Sequence, residues 1–359
     1  MRFIHMADMH FDTPFTFLNS KDNLGDLRRL EQRNAFKRVI EYIKKENIPY
    51  LFISGDLYDN SYIRESTIEY INGLFSEIPY TKIYIVPGNH DPYLKDSYYT
   101  NFNWNDNVYI FKNEITKIEL EDVDIYGFGF DDFYMEGKIL DEIHIENREK
   151  INILLMHGDL NASNTKDPKY NPVQESKLKE LGFDYIALGH IHKREIFDER
   201  IAYPGSTISL GFDELGEHGI LDVNLSKKNN IISIKFVKID ETEFKEFNLD
   251  ISEINSEEQL IEKINSLTIP EKEYYKIILT GTNNFEINLN KILELNMQKN
   301  ILKIEDQTEM GFDIEKILKQ NNLKSIFVKE MLEKLQTGEY TEEEIKKGIE
   351  VGLRALQNK

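Results

Sequence analysis

Cysteine is absent from all 359 residues, which excludes a disulfide scaffold, a thiolate zinc site, an iron–sulfur cluster and a cysteine nucleophile. Any metal chemistry therefore falls to histidine and carboxylate. No stretch approaches the roughly 20 apolar residues that span a bilayer. Met1-Arg2-Phe3-Ile4-His5 enters a strand-like run with no basic segment, apolar core or cleavage site ahead of it, so a cytoplasmic protein without membrane attachment is expected. Positive charge is scarce: 44 basic against 64 acidic residues give −20. Residues 241–359 hold 24 acidic and 16 basic residues, hence −8, which leaves −12 for residues 1–240. With no basic half or tail, a self-sufficient counterion-releasing nucleic-acid face is not expected. The balance fits a solubility role, a local patch hidden in the average, or a partner that supplies the cationic surface. Internal repeats and low-complexity tracts are lacking as well.

What is present is a folded chain, 40% hydrophobic and 11% aromatic, long enough for two domains. Residues 1–240 alternate apolar runs with helical patterns, the rhythm of an α/β or layered β fold. Strands are expected at Phe3–Ala7, Tyr50–Ser54, Lys82–Val86, Val123–Phe128, Ile151–Met156 and Tyr185–Leu188, with helices near 26–46, 61–76 and 173–181. Gly219–Leu225 and Ile231–Ile239 alternate like a hairpin across the polar segment 226–230. Residues 241–308 read as a small α+β domain, with strands at Tyr275–Thr280 and Asn300–Glu305 and helices at 256–267 and 286–296. Residues 309–359 read as short helices, from Asp313 onward, with one apolar face. That face packs on the parent domain or docks a partner.

Polar clusters follow the expected strands directly: Asp8-Met9-His10, Gly55-Asp56-Leu57-Tyr58-Asp59, Gly88-Asn89-His90-Asp91, His157-Gly158-Asp159 and Gly189-His190-Ile191-His192. Ligands of α/β proteins bind beyond the carboxyl ends of strands, so these clusters should converge on one site. Gathering Asp8, Asp56 and several imidazoles without a cation costs several kcal/mol in like-charge and desolvation terms. Seven or eight oxygen and imidazole donors are too many for one ion, which implies two, with Mn, Fe, Zn or Mg all compatible. Two ions about 3.5–4 Å apart form the arrangement used for in-line attack on phosphate esters. In an extended strand end, residues two apart such as Asp8 and His10, or His190 and His192, point to the same side.

The ordered set D-x-H, G-D-x-x-D, G-N-H-D, H-G and G-H-x-H resembles the calcineurin-like metallophosphoesterases over roughly residues 1–210. The resemblance implies a four-layer α-β-β-α sandwich. It places Asp8, His10, Asp56 and His192 at one metal and Asp56, Asn89, His157 and His190 at the other, with Asp56 bridging. His90 matches the family's non-ligand histidine, which protonates the leaving oxygen or stabilises the charged transition state, and Asp59 would orient it.

Within that family, Ala7–Phe15, then Tyr203-Pro204-Gly205-Ser206-Thr207 and the αβ and helical appendages, resemble the bacterial DNA repair exonucleases of the SbcD and YhaO-like branch. The resemblance implies a Mn-dependent DNA exonuclease and endonuclease of double-strand-break repair, homodimeric. The small domain would cap the site and guide DNA, and the C-terminal helices would dock an SbcC-like ABC ATPase. A small-molecule phosphodiesterase acting on cyclic nucleotides and a non-catalytic scaffold protein of the ATPase complex are the alternatives. Of the remaining residues, His5 is expected to be a satisfied core histidine, and His144 and His218 surface or turn residues. Lys193 and Arg194 either contact phosphate or form a solvated pair, and Asp12 orients ligands or caps a turn.

Overall fold

The computed structural model describes residues 1–357 except 16–17, 19–23, 137–138, 161–169, 230, 284 and 312–313. The elements run β1 (Arg2–Met6), α1 (Leu24–Glu46), β2 (Tyr50–Ser54), α2 (Glu65–Ser76), β3 (Lys82–Val86), α3 (Tyr98–Asn101), β4 (Val108–Ile110), β5 (Thr116–Glu119), β6 (Val123–Gly127), β7 (Ile151–His157), α4 (Glu175–Leu181), β8 (Tyr185–Gly189), β9 (Glu195–Phe197), β10 (Ile201–Tyr203), β11 (Gly219–Ser226) and β12 (Ile231–Lys238). They form one compact unit, Met1–Phe244. The described residues place two six-stranded sheets in it, ordered β12-β11-β1-β2-β3-β4 and β5-β6-β7-β8-β10-β9. Strands β1 to β4 run parallel, as do β6, β7 and β8, so their carboxyl ends share one edge of each sheet.

Alternation along the strands builds the layers. Phe3, Phe52, Tyr84 and Val86 of the first sheet meet Ile125, Ile153, Leu155, Tyr185 and Ala187 of the second in one dry core. The alternate residues Ile4, Met6, Leu51, Ile53, Ile83 and Ile85 are fully buried on the opposite face, beneath the apolar stripes of α1 and α2. On the outer face of the second sheet, Leu154, Met156, Ile186 and Leu188 pack with Leu178 of α4 and with Phe183. Four layers, α-β-β-α, result. His5 alternates into the central core, where its ring meets Tyr185 Oη (3.0 Å), Leu188 O (3.1 Å) and Ser54 Oγ (3.2 Å); burial lowers its pKa to about 3, and it is a satisfied core histidine as expected. The β11–β12 hairpin pairs antiparallel from Gly219↔Lys238 to Ser226↔Ile231, and its expected turn includes residue 230, outside the described residues.

The second unit, Lys245–Lys359, holds β13 (Glu243–Asp250, whose first residues belong to the first unit), α5 (Glu257–Asn265), β14 (Glu273–Thr280), β15 (Thr282–Asn283), α6 (Leu289–Leu295), β16 (Ile301–Asp306), β17 (Glu309–Met310), α7 (Ile314–Leu318), α8 (Leu323–Gln336) and α9 (Glu342–Gln357). Caps fix its helices. Ser256 Oγ accepts from Gln259 N at the start of α5, and Asn322 with Ser325 makes a reciprocal capping box on α8. A sheet ordered β13-β14-β16 packs Ile277, Leu279, Ile301 and Ile304 against Leu260, Ile264 and Ile292. Val328, Ile345, Ile349 and Leu353 of α8 and α9 form a separate apolar cluster. The helical pattern expected from Asp313 begins at Ile314, residue 313 lying outside the described residues. No described helix is long and apolar enough to cross a membrane.

Candidate metal centre

The expected site residues converge at the carboxyl ends of β1, β2, β3, β7 and β8. Their backbone is not extended there: Asp8 (φ 52°), His10 (φ 50°), Asp56 (φ 52°) and His190 (φ 108°) all take positive φ, a costly conformation for residues with a Cβ. Four such residues at one place mark strain held for function. Hydrogen bonds hold these turns: Asp8 N donates to Gly55 O (3.1 Å) and His10 N to Asp56 O (2.9 Å), and His190 N donates to the Asp8 carboxylate (3.1 and 3.2 Å). The glycines of two motifs allow close approach, since a Cβ on Gly55 would collide with the His157 ring and one on Gly88 with Asp56 Oδ1.

The side chains fall into overlapping groups whose ligand atoms lie within 4.8 Å of one another: Asp8, His10 and His192; Asp56, His157 and His190; and His10, Asp56 and His90. Asp56 Oδ2 stands between the first two groups, 3.6 Å from His10 Nε2 and 3.3 Å from His157 Nε2. Asn89 Oδ1 lies 3.0 Å from His157 Nε2 and 3.1 Å from His190 Nδ1. His190 and His192 thus serve different groups. The same-side expectation holds for Asp8 and His10, which share a group, and fails for His190 and His192, where the positive φ of His190 breaks strand alternation.

Orientation of the rings comes from their outer nitrogens. His157 Nδ1 donates to Ser54 O (2.8 Å), which leaves the Nε2 lone pair facing inward. His192 Nδ1 meets Glu214 Oε1 at 2.5 Å, and Glu214 Oε2 is held by Ser206 Oγ (2.7 Å) and Leu210 N (3.0 Å). His90, 46% exposed, takes a 3.0 Å contact from Nδ1 to Asp59 Oδ1, and its backbone N–H donates to Asp56 Oδ1 (2.8 Å). His90 and Asp59 therefore stand together as expected.

Charges in the array are frustrated. Burial pushes the Asp8 carboxyl up to about 6 against the pull of His192 and His157. Burial would also raise Asp56, but His157, His10 and His90 outweigh it and hold that carboxyl below the usual range. Burial lowers His10 to about 4 and His190 to about 3. For His157 and His192 burial is outweighed, by Asp56 and by Glu214 respectively, and both rise to about 9. His90 is raised, chiefly by its hydrogen bond with Asp59. Nε2 of His10 faces Nε2 of His192 at 3.1 Å, a contact that two lone pairs cannot make without a proton or cation between them. The donor set thus fits divalent cations, which would neutralise the carboxylates and take the facing lone pairs.

Sequence reasoning assigned no role to two residues that build this centre. Asp91, fully buried, accepts from Gly88 N (2.6 Å), Asp56 N (3.0 Å), Leu57 N (2.7 Å) and Tyr99 Oη (2.6 Å), tying two metal-side loops together. It lies inside a motif, so its signal was available. Glu214 lies 22 residues beyond His192 with no local signal. His218, expected at the surface or in a turn, is 6% exposed: its ring contacts Ser206 Oγ (2.9 Å) and Glu214 O (3.0 Å) and backs the Glu214 loop. His144 is exposed, as expected. Arg194 is exposed, and its guanidinium stacks 3.6 Å from the Phe236 ring centroid. Asp12 caps the start of α2, accepting from Arg64 N (3.0 Å) and Thr67 Oγ1 (2.7 Å).

A family profile described as calcineurin-like phosphoesterase matches residues 1–194, more than half of the chain. Among similar proteins is the metallophosphoesterase YhaO of Bacillus subtilis, 26% identical over 276 residues, which cover 74% of this chain and 66% of that one. The SbcD component of the SbcCD nuclease of Staphylococcus epidermidis is 27% identical over 277 residues, covering 67% of this chain and 70% of that one. Among solved structures, a dimetal phosphatase from Danio rerio aligns at TM-score 0.41 and 10% identity over 63% of this chain and 93% of that one. The chain spans about two thirds of the length of the YhaO protein. The present chain belongs to the calcineurin-like phosphoesterase family and is a hydrolase of phosphoester bonds.

Proposed function

We propose that this hydrolase is a Mn²⁺-dependent DNA nuclease, exonuclease and endonuclease, that works with an SbcC-like ATPase in double-strand-break repair. The observation that carries the reading is the pair of overlapping donor groups sharing Asp56; the likeness to a nuclease component over 67% of the chain supports the substrate class. Asp8, His10, Asp56 and His192 would hold one ion, and Asp56, Asn89, His157 and His190 the other. Bound there, divalent cations polarise the phosphoryl oxygens and lower the pKa of water near the phosphorus. His90, the exposed imidazole of the cluster, is placed to donate a proton to the departing 3′ oxygen, and Asp59 fixes its Nδ1 so that Nε2 faces the substrate. Asp56 also orients His90 through the backbone N–H of that residue.

Residues 241–308 would cap the centre and guide DNA, and residues 309–359 would dock the ATPase through apolar side chains that the helical cluster leaves exposed, Leu323, Ile326 and Val351. A chain copy would pair through residues 1–240, and a chromosomal substrate places the enzyme in the cytoplasm. Ile326→Glu should abolish co-purification with the ATPase; retention of the complex would remove the docking assignment. The primary test is a denaturing gel of end-labelled duplex DNA incubated with protein and Mn²⁺, with Asp56→Ala alongside. Stepwise or end-proximal products lost in the variant are expected. Hydrolysis of bis-p-nitrophenyl phosphate without DNA cleavage would instead assign a small diester substrate.

A further inference from the structure

The protein carries −20, yet one cleft beside the centre gathers three guanidinium groups. It has a volume of about 400 Å³ and is lined by Asp12, Arg29, Arg33, Tyr62 and Arg64 among others. Arg29 and Arg33 lie one turn apart on α1, at i and i+4, and so project from one face. Arg64, at the N-cap of α2, supplies the third group from another element. Asp26 takes Arg29 at 2.5 Å, and Asp12 lies 4.0 Å from Arg33, which also donates to Thr67 Oγ1 at 2.7 Å. Arg64 is exposed and has no carboxylate partner among the described residues. Three cations therefore face two anions, in a molecule whose surface is otherwise dominated by carboxylates.

Two short loops join this cleft to the chemistry. Asp12 follows His10 by two residues, and Thr13 N donates back to His10 O (3.1 Å). The carbonyl of Asp59, the partner of His90, accepts the N–H groups of Tyr62 and Ile63 at 2.9 Å each, and Asn60 N donates to His90 O (2.9 Å). The cleft wall, on the loop after β2, and the proton donor, on the loop after β3, are thus tied together by hydrogen bonds. Tyr62 is 55% exposed and offers a ring face at the same place.

A guanidinium is a planar fork suited to phosphate oxygens. A small diester has a single phosphate, which the metal centre would occupy, and it would leave these three groups without an anion. A strand has neighbouring phosphates and bases on either side of the bond being cut. We infer that Arg29, Arg33, Arg64 and Tyr62 form the track for the nucleic-acid strand flanking the scissile phosphate. The inference rests on the reading of the centre as a nuclease and names the residues that hold the strand beside it.

The test uses the full chain and a labelled single-stranded oligonucleotide, with binding read by anisotropy in EDTA across a salt series. The double variant Arg29→Gln/Arg64→Gln should weaken binding at least tenfold at low salt. It should also make the slope of log K against log salt shallower by about 1.4, for two lost phosphate contacts. Tyr62→Leu should weaken binding about tenfold with the slope retained. Lys45→Gln, the loss of one exposed charge near the far end of α1 and off the face of Arg29 and Arg33, should change neither. With Mn²⁺, kcat/KM of the double variant on the oligonucleotide should fall at least tenfold relative to that on bis-p-nitrophenyl phosphate. A wild-type protein that does not bind the oligonucleotide, or a double variant with the wild-type slope, overturns the track. Wild-type protein inert toward bis-p-nitrophenyl phosphate overturns the phosphodiesterase reading instead, while the metal-free anisotropy still judges the track.

Discussion

The two halves of the centre are held in different ways. His157 is fixed by a neutral main-chain carbonyl, Ser54 O, at the end of a core strand. His192, whose side chain is 28% exposed, is fixed by an anion, the Glu214 carboxylate, which a loop supplies and Ser206 and Leu210 restrain. A carbonyl sets the tautomer and direction of a ring; a carboxylate also makes the inward nitrogen more basic. The contrast teaches that the Asp56–His157–His190 half is built by the sheets themselves, and the Asp8–His10–His192 half is completed by the loop after β10.

The largest expected effect comes from removing what the halves share. Asp56→Asn should lower hydrolysis of bis-p-nitrophenyl phosphate by about 10³-fold or more, since each tenfold is about 1.4 kcal/mol and a shared ligand stabilises the transition state by several. Bound Mn²⁺, counted by mass spectrometry after dialysis, should fall below one per chain; two retained ions would break the shared-ligand assignment. His90→Ala should come next. Loss of a proton donor costs about 10²–10⁴-fold where the leaving group needs protonation. The p-nitrophenolate leaving group hardly does, so DNA cleavage should suffer far more than hydrolysis of the small diester. Equal losses would make His90 an electrostatic stabiliser or a ligand, as its grouping with His10 and Asp56 permits.

Single-half variants then sharpen the contrast. His157→Ala and His192→Ala should each leave about one ion per chain, but His157→Ala strands a neutral carbonyl, at about 1–3 kcal/mol, whereas His192→Ala strands the Glu214 carboxylate, which costs more because it is charged. For a unit of this size that is a fall in Tm of roughly 2–4 °C per kcal/mol, measured on metal-free protein by calorimetry. Equal Tm values for the two variants would erase the distinction between a sheet-built and a loop-built half.

How much of this was legible follows the same division. Strands β1, β2, β3, β7 and β8 are apolar runs ended by Gly, Asp, Asn or His, so both the strands and the convergence of their ends could be read. Glu195–Phe197 and Ile201–Tyr203, three residues each, are too short for alternation to show, and the polar Glu243–Asp250 gave no apolar run. The left-handed turns at Asp8, His10 and His190 were hidden because propensity assigns such φ to glycine; tertiary hydrogen bonds impose it here. Glu214 and His218 were invisible for a different reason. Their work depends on a loop folding back onto His192, and nothing in the local pattern encodes that return.

Glu214 is therefore where the contrast can be tested most finely. Glu214→Gln keeps the volume and an oxygen that can accept from His192 Nδ1, but removes the charge. If the carboxylate acts on the ring, Mn²⁺ affinity of one site in two-site calorimetry should fall about 10- to 100-fold while the other site is retained. With its oxygen on His192 Nδ1, the Gln amide turns its NH2 toward Ser206 Oγ, which can accept, and toward Leu210 N–H, which cannot, so the loop loses the Leu210 hydrogen bond. An equal fall at both sites would mean that the loop supports the whole centre, and the division between its halves would then be one of sequence position alone.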